Sequence, residues 1–260
     1  MTTFRDESAA LGSAGRLAGG VPFRSLVRVE ARKLVDTRSG KVLTAVMVAL
    51  AVGSVVARGL ATGPDLYLLA VTAGIPLGIF LPVLGIVTMT GEWSHRTALT
   101  TFALEPRRLR VLAAKCLPPL ALALVSCLFA LLVAVPVTAA VAAAQGVRPG
   151  WEVAPLPLVG WTATMVLVTA QGLALGLLFL NAPAAIVICL CGAIVWSAVA
   201  RLGAAGEALA AWLDLNATTN PLMDGRLAGG DAARLAVSVL VWIAIPAAAG
   251  ALRVARREVG

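Results

Sequence analysis

GEWSHRTALTTFALEPRRLRVLAAK, from Gly91 to Lys115, decides the fold. It carries five lysines and arginines, the chain's single histidine (His95) and Trp93, and it stands between two long apolar runs. The surrounding chain is 60% hydrophobic and 13% charged, with a mean hydropathy of +0.93. Soluble domains sit near about 45–50% apolar and about 25% charged. A single aqueous core for 260 residues needs no such apolar excess, so the solvent is lipid. Residues 1–22 are read as a flexible cytoplasmic segment. Met1–Gly20 has no apolar stretch of the kind a cleaved leader carries, which leaves insertion to the first span.

Outward from Gly91–Lys115, runs of about 20 apolar residues mark six spans: 42–61, 66–90, 116–144, 157–180, 184–200 and 235–252. The runs are long and lack period-2 alternation, and backbone groups in hydrocarbon must be bonded internally, so each is a helix. The fourth and fifth are separated by Asn181-Ala-Pro183, which predicts a tight antiparallel hairpin. The fold class is all-α, six-span membrane protein.

Charge sets the orientation. Sixteen of the 21 lysines and arginines fall before the first span, in the 2–3 connection or after the sixth; the other five fall in the 1–2, 3–4 and 5–6 connections. The positive-inside rule puts both termini and the 91–115 segment in the cytoplasm. The net charge of +8 is then a topology collar with attraction for anionic headgroups. Nucleic acid is not expected as a partner, because no stacking aromatics interleave the basic residues.

Two polar segments stand out. Phe23–Lys41 reads as a basic amphipathic helix at the cytoplasmic interface, stopping at Ser39-Gly40. In the 91–115 segment, Trp93 suits the headgroup layer. Ala98, Leu99, Phe102 and Ala103 form an apolar stripe, Glu105-Pro106 ends that helix, and Pro106 opens the next. Between spans 5 and 6, Leu202, Ala205, Leu209, Trp212, Leu213 and Leu215 predict an outer interfacial or re-entrant helix, with Asn216-Ala-Thr218 read as a turn.

Enzymatic and metal chemistry find little purchase. One histidine excludes a multi-histidine metal site, no serine sits in G-x-S-x-G, and Glu92 and Glu105 both lie on the cytoplasmic side. No G-x-x-x-x-G-K-[ST] is present; Gly40-Lys41 is followed by Val42. The four cysteines, Cys116, Cys127, Cys189 and Cys191, read as small buried side chains. Within the spans, Gln171 is either a polar group on a translocation path or an interhelical contact beside Gly172-Leu-Ala-Leu-Gly176. Pro76 and Pro82 predict a bent second span.

The run Glu92-Trp93-Ser94-His95-Arg96-Thr97, then Thr101-Phe102-Ala103-Leu104-Glu105-Pro106-Arg107-Arg108, then Lys115, resembles the segment after the second span of ABC-2-type transporter permeases. Arg96 stands where many members carry glycine. The six spans, the cytoplasmic termini and the pre-span helix with Glu30-Ala-Arg32-Lys33 resemble the same family over residues 23–260. The resemblance implies a coupling segment (Glu92, Trp93, Arg96, Thr97, Arg107, Arg108) docking on a separate ATPase subunit, and a connecting helix (Glu30, Arg32, Lys33) beside it. It implies that this chain binds no cofactor, that ATP and Mg reside on the ATPase, and that a second permease subunit completes a homo- or heterodimeric exporter in a bacterial cell membrane. The residues alone leave a second reading open: a non-transporting scaffold, assembly factor or sensor that binds partners through its amphipathic segments.

Overall fold

The computed structural model describes residues 22–94 and 107–256. The expected N-terminal segment therefore lies almost wholly outside the described residues, as do His95, Arg96, Thr97 and the Glu105-Pro106 break. Six described helical segments are long and apolar enough to cross a membrane, which marks a multi-pass membrane protein, and no β-strand occurs among the described residues.

Helix α1 covers Phe23–Asp36 and α2 covers Arg38–Thr62. The expected stop at Ser39-Gly40 is corrected here: the chain turns at Thr37, which is extended (φ −69°, ψ 145°), and Ser39 and Gly40 lie in the first turn of α2. Thr37 Oγ1 accepts from the Gly40 N–H at 3.2 Å, so a threonine cap starts the span. Gly40 also lies under the Leu34 carbonyl, where any Cβ would collide.

The second span is split into α3, Leu66–Thr72, and α4, Gly74–Ser94. Pro76 has no N–H to offer the Thr72 carbonyl and its ring crowds that carbonyl, so the helix breaks around Ala73. Pro82 stays inside α4 without ending it. Past the break, Gly74 faces the fully buried Trp161, and a Cβ there would stand 2.6 Å from Nε1.

Helix α5 runs from Arg108 to Gln145, 38 residues. That is about 57 Å, roughly twice a bilayer's hydrocarbon thickness, so α5 extends beyond the expected 116–144 span. Helices α6, Pro155–Phe179, and α7, Ala182–Ala200, form the expected hairpin, with Leu180 left-handed (φ 52°) and Asn181 Oδ1 accepting from the Ala184 N–H at 3.0 Å.

Two short helices follow, α8, Ala204–Leu213, and α9, Leu215–Met223. The turn expected at Asn216–Thr218 is instead helical: Asp214 Oδ1 accepts from the Asn216 N–H at 3.0 Å and caps α9. The last span comprises α10, Gly229–Val239, a π-helical turn at Leu240–Ala244, and α11, Ile245–Arg256. Pro246 explains the π turn: with no proline N–H for the Trp242 carbonyl, the bonding widens, and the Ile245 N–H donates to the Leu240 carbonyl.

Helices α4 and α6 form the centre. Their most apolar windows are 56% buried, against 6% for α7. The contact depends on glycine. A Cβ on Gly172 would stand 2.6 Å from Pro82 Cα, and one on Gly176 would stand 3.0 Å from Ile86 Cα, so the Gly172–Gly176 face packs on span 2. At one end of the bundle, the Leu66 N–H donates to the Gly150 carbonyl at 2.9 Å and the Gly150 N–H to the Pro64 carbonyl at 2.8 Å, tying the 1–2 and 3–4 connections together. The Tyr67 hydroxyl donates to the Met223 carbonyl at 3.4 Å and brings in the 5–6 connection.

Replacing Gly172 with valine will force α4 and α6 apart and lower stability by on the order of 2 kcal/mol. Gly192→Ala, whose Cβ meets nothing within 4 Å, is the control. Thermal unfolding in detergent should show a lower midpoint for the first and no fall for the second.

Candidate functional site

At the opposite end of the bundle, three chain segments meet in a closed ring of four charges. Glu30 and Lys33 come from consecutive turns of α1, at a spacing that puts both on one helix face. Glu92 comes from the last turn of α4 and Lys115 from the second turn of α5. Lys33 Nζ donates to Glu30 Oε1 at 2.8 Å and to Glu92 Oε1 at 3.0 Å. Lys115 Nζ lies 3.0 Å from Glu30 Oε2 and 2.9 Å from Glu92 Oε1. Each carboxylate is thus bridged by both ammonium groups, and the charges cancel.

Burial makes this arrangement demanding. Lys115 is 1% exposed, Glu30 5% and Glu92 6%, and lysine and glutamate are almost never so buried unless paired. Lys33 is half-exposed and closes the ring on its open side. Burial pushes the Lys33 ammonium towards lower pKa, but its hydrogen bonds and charge pairing with Glu30 and Glu92 outweigh that and leave its pKa above the ordinary lysine value. The sign follows: this stabilisation is complete below the ordinary lysine pKa and is lost only as pH rises through the raised value, so neutral pH keeps all of it.

Beside the ring lies a cavity of about 180 Å³, walled by Leu34, Leu84 and Val87 and reached by Thr37 and Thr88. The four ring residues themselves form part of its wall, together with Ser39 and Gly40 of the α1–α2 turn and Gly91 of α4.

Arginines make a second set of ties nearby. The α5 helix begins at Arg108, with Arg107 as its cap residue, so the start expected at Pro106 falls two residues earlier than the observed one. Arg108 Nη1 donates to the Val254 carbonyl at 2.7 Å, joining the start of α5 to α11. Arg253 Nη1 donates to the Leu178 carbonyl at 2.9 Å, and Gly250 lies against Leu177, fixing α11 to the end of α6. The Arg110 guanidinium stands 6.0 Å over the Phe23 ring, pinning the start of α1.

The sequence-predicted residues therefore separate. Glu30, Lys33 and Glu92 converge, and Arg108 lies at the same end. Arg32 does not join them: it is exposed and pairs with Asp36 at 3.6 Å, a contact of little energetic weight. Trp93 falls in the last turn of α4, and its side chain lies outside the described residues. Pro76 and Pro82 act within span 2, and Gln171 lies well away from the ring. Lys115, quoted for its resemblance but given no role of its own, is the residue the ring cannot do without. Its sequence signal was a lone lysine two turns into an apolar helix. Of the cysteines, Cys127 is buried and Cys191 exposed, so the expectation of uniform burial is corrected for Cys191. No group of metal-ligating side chains occurs among the described residues.

Lys115→Met will leave two buried carboxylates facing only Lys33 and should cost about 3–5 kcal/mol of unfolding free energy. Adding Glu30→Gln restores charge balance and should recover part of that loss, a non-additivity that melting curves of the single and double variants will read directly. No protein-family model matches this chain, and neither a curated protein nor a solved structure matches it.

Proposed function

We propose that the chain is the membrane-spanning subunit of an ATP-driven ABC-2-type exporter, coupled to a separate ATPase subunit and paired with a second permease subunit in a bacterial cell membrane. The observation that carries this reading is the charge ring. The residues that resemble the family's connecting helix (Glu30, Lys33) and those flanking its coupling segment (Glu92, Lys115) are bonded to one another in a buried, neutral cluster.

The arrangement suits force transmission. Helix α4 ends at Ser94, just past Glu92, and α5 begins at Arg108, seven residues before Lys115, so a partner pulling or pushing on the segment between them would load both ends at once. One end is clamped to α1 through Glu92–Lys33, the other through Lys115–Glu30. Arg108 adds a path to α11 and, through Arg253, to the end of α6. The one-residue interruption at Ala73, where Pro76 leaves the Thr72 carbonyl without its helical donor, is where span 2 is least restrained. ATP and Mg belong to the partner in this scheme; this chain supplies the path and the lever. A ring of strong, buried bonds moves as a unit, which is what a coupling element requires and what a passive topology anchor does not.

Purification of the tagged chain from its native membrane should bring down a soluble ATPase in stoichiometric amount. Changing Arg96, Thr97 and Arg107 together to alanine should abolish that recovery while leaving the chain in the membrane. Glu92→Gln should keep the ATPase bound but lower the hydrolysis rate of the reconstituted complex by roughly tenfold. Recovery of no ATPase, or undiminished recovery with the triple variant, overturns the coupling assignment.

A further inference from the structure

A second polar site lies between α6, α7, the α8–α9 junction and the π turn. Five features meet in a small cavity there: the Gln171 amide, the Trp196 and Trp242 rings, the Asp214 carboxylate, and the bare backbone of Gly192. Its volume is about 20 Å³, enough for one water-sized group. No lysine or arginine lines it.

Each wall is held in place by a separate device. The π turn carries Trp242, whose Nε1–H donates to the Leu213 carbonyl at 2.6 Å and fixes the ring beside Asp214. Trp196 meets it edge to face, with centroids 6.4 Å apart and planes at 87°; that geometry leaves at least one face of each ring for a third group. Asp214 uses Oδ1 to cap α9 and forms no ion pair among the described residues. Gln171 forms no hydrogen bond among the described residues, although it stands midway along an apolar helix, where polar groups ordinarily find partners.

Among the lining residues Asp214 alone carries a formal charge, and Asn216 adds a second amide beside that of Gln171. The carboxylate is negative, each amide offers an acceptor oxygen, and indole faces attract cations. Low surrounding polarity strengthens such attraction. The small volume admits –NH₃⁺ and excludes a trimethylammonium group. Beyond the cavity, α7 presents exposed apolar residues including Ile188 and Val195. We propose that this cavity binds the primary ammonium group of an amphiphilic amine, with the apolar body of the ligand lying along α7.

The test uses the full chain in nanodiscs of neutral lipid, titrated with hexylammonium and followed by intrinsic tryptophan fluorescence. Hexylammonium should give a saturable change, hexanol none, and hexyltrimethylammonium a response at least about tenfold weaker. Asp214→Asn removes the charge but keeps a capping side chain and every tryptophan, so it should bind about tenfold more weakly while melting like wild type. Gly192→Leu grows from a position whose Cβ meets nothing within 4 Å and should occlude the cavity. Superimposable titrations for wild type and Asp214→Asn, or equal responses to amine and alcohol, overturn the proposal. The readout involves no ATPase, so failure here leaves the coupling assignment standing, and loss of ATPase recovery leaves this site standing.

Discussion

Two carboxylates and two ammonium groups, drawn from positions 30, 33, 92 and 115, must find one another in a place where water does not reach three of them. None of the three buried ones, Glu30, Glu92 and Lys115, is tolerable alone at that depth, because an unpaired charge there loses its hydration without compensation. The constraint acts on the whole end of the bundle. It holds α1 against the start of α5, requires α4 to end where Glu92 can reach both lysines, and fixes the angular position of α5 through Lys115. Hydrophobic burial cannot supply such specificity in a bilayer, where apolar side chains are nearly as well solvated by lipid as by one another.

Close packing does the corresponding work at the centre. The α4–α6 contact is set by Gly172 and Gly176 against Pro82 and Ile86, with Gly85 against Leu173. Dispersion between backbones replaces the hydrophobic effect there. Helices α2, α7 and the last span are much less buried within the described chain, at 22%, 6% and 17% of their most apolar windows, and their outward residues are the apolar ones lipid favours. The protein thus has a glycine-tight centre, an ionic clasp at one end and hydrogen-bonded connections at the other.

Hydropathy made the six helices legible, because a run of about 20 apolar residues has few other uses. The amphipathic α1 was legible from its spacing. Its end was misread: Ser39-Gly40 looked like a stop, whereas Thr37 was the informative residue, a cap that restarts the helix within two positions. Asn216–Thr218 was misread for the same kind of reason, since Asp214 upstream outweighs local turn preference. The prolines were half legible. Pro76 and Pro82 were read as bending span 2, where the helix is interrupted at Ala73 and Pro82 stays inside it, but Pro246 and the π turn behind it were missed. The ring's members were all visible in the sequence as family-like residues; their pairing was not. A bond between Lys115 and Glu30 spans 85 positions, and nothing local to either residue encodes it. The Trp196–Trp242–Asp214–Gln171 group was equally hidden, and for the same reason.

The wide turn at Leu240–Ala244 also fixes a phase. Accommodating one extra residue there rotates everything downstream by about 100° relative to an uninterrupted α-helix. With that offset, Pro246, Gly250 and Val254 share a buried stripe, Gly250 can approach Leu177, and Arg108 can reach the Val254 carbonyl. Shortening the turn by a single residue would aim the stripe at lipid and swing the arginines of the last turn to a new compass bearing. The aromatic cavity and the C-terminal ties are therefore two readings of one angular setting, and the chain cannot retune either without disturbing the other.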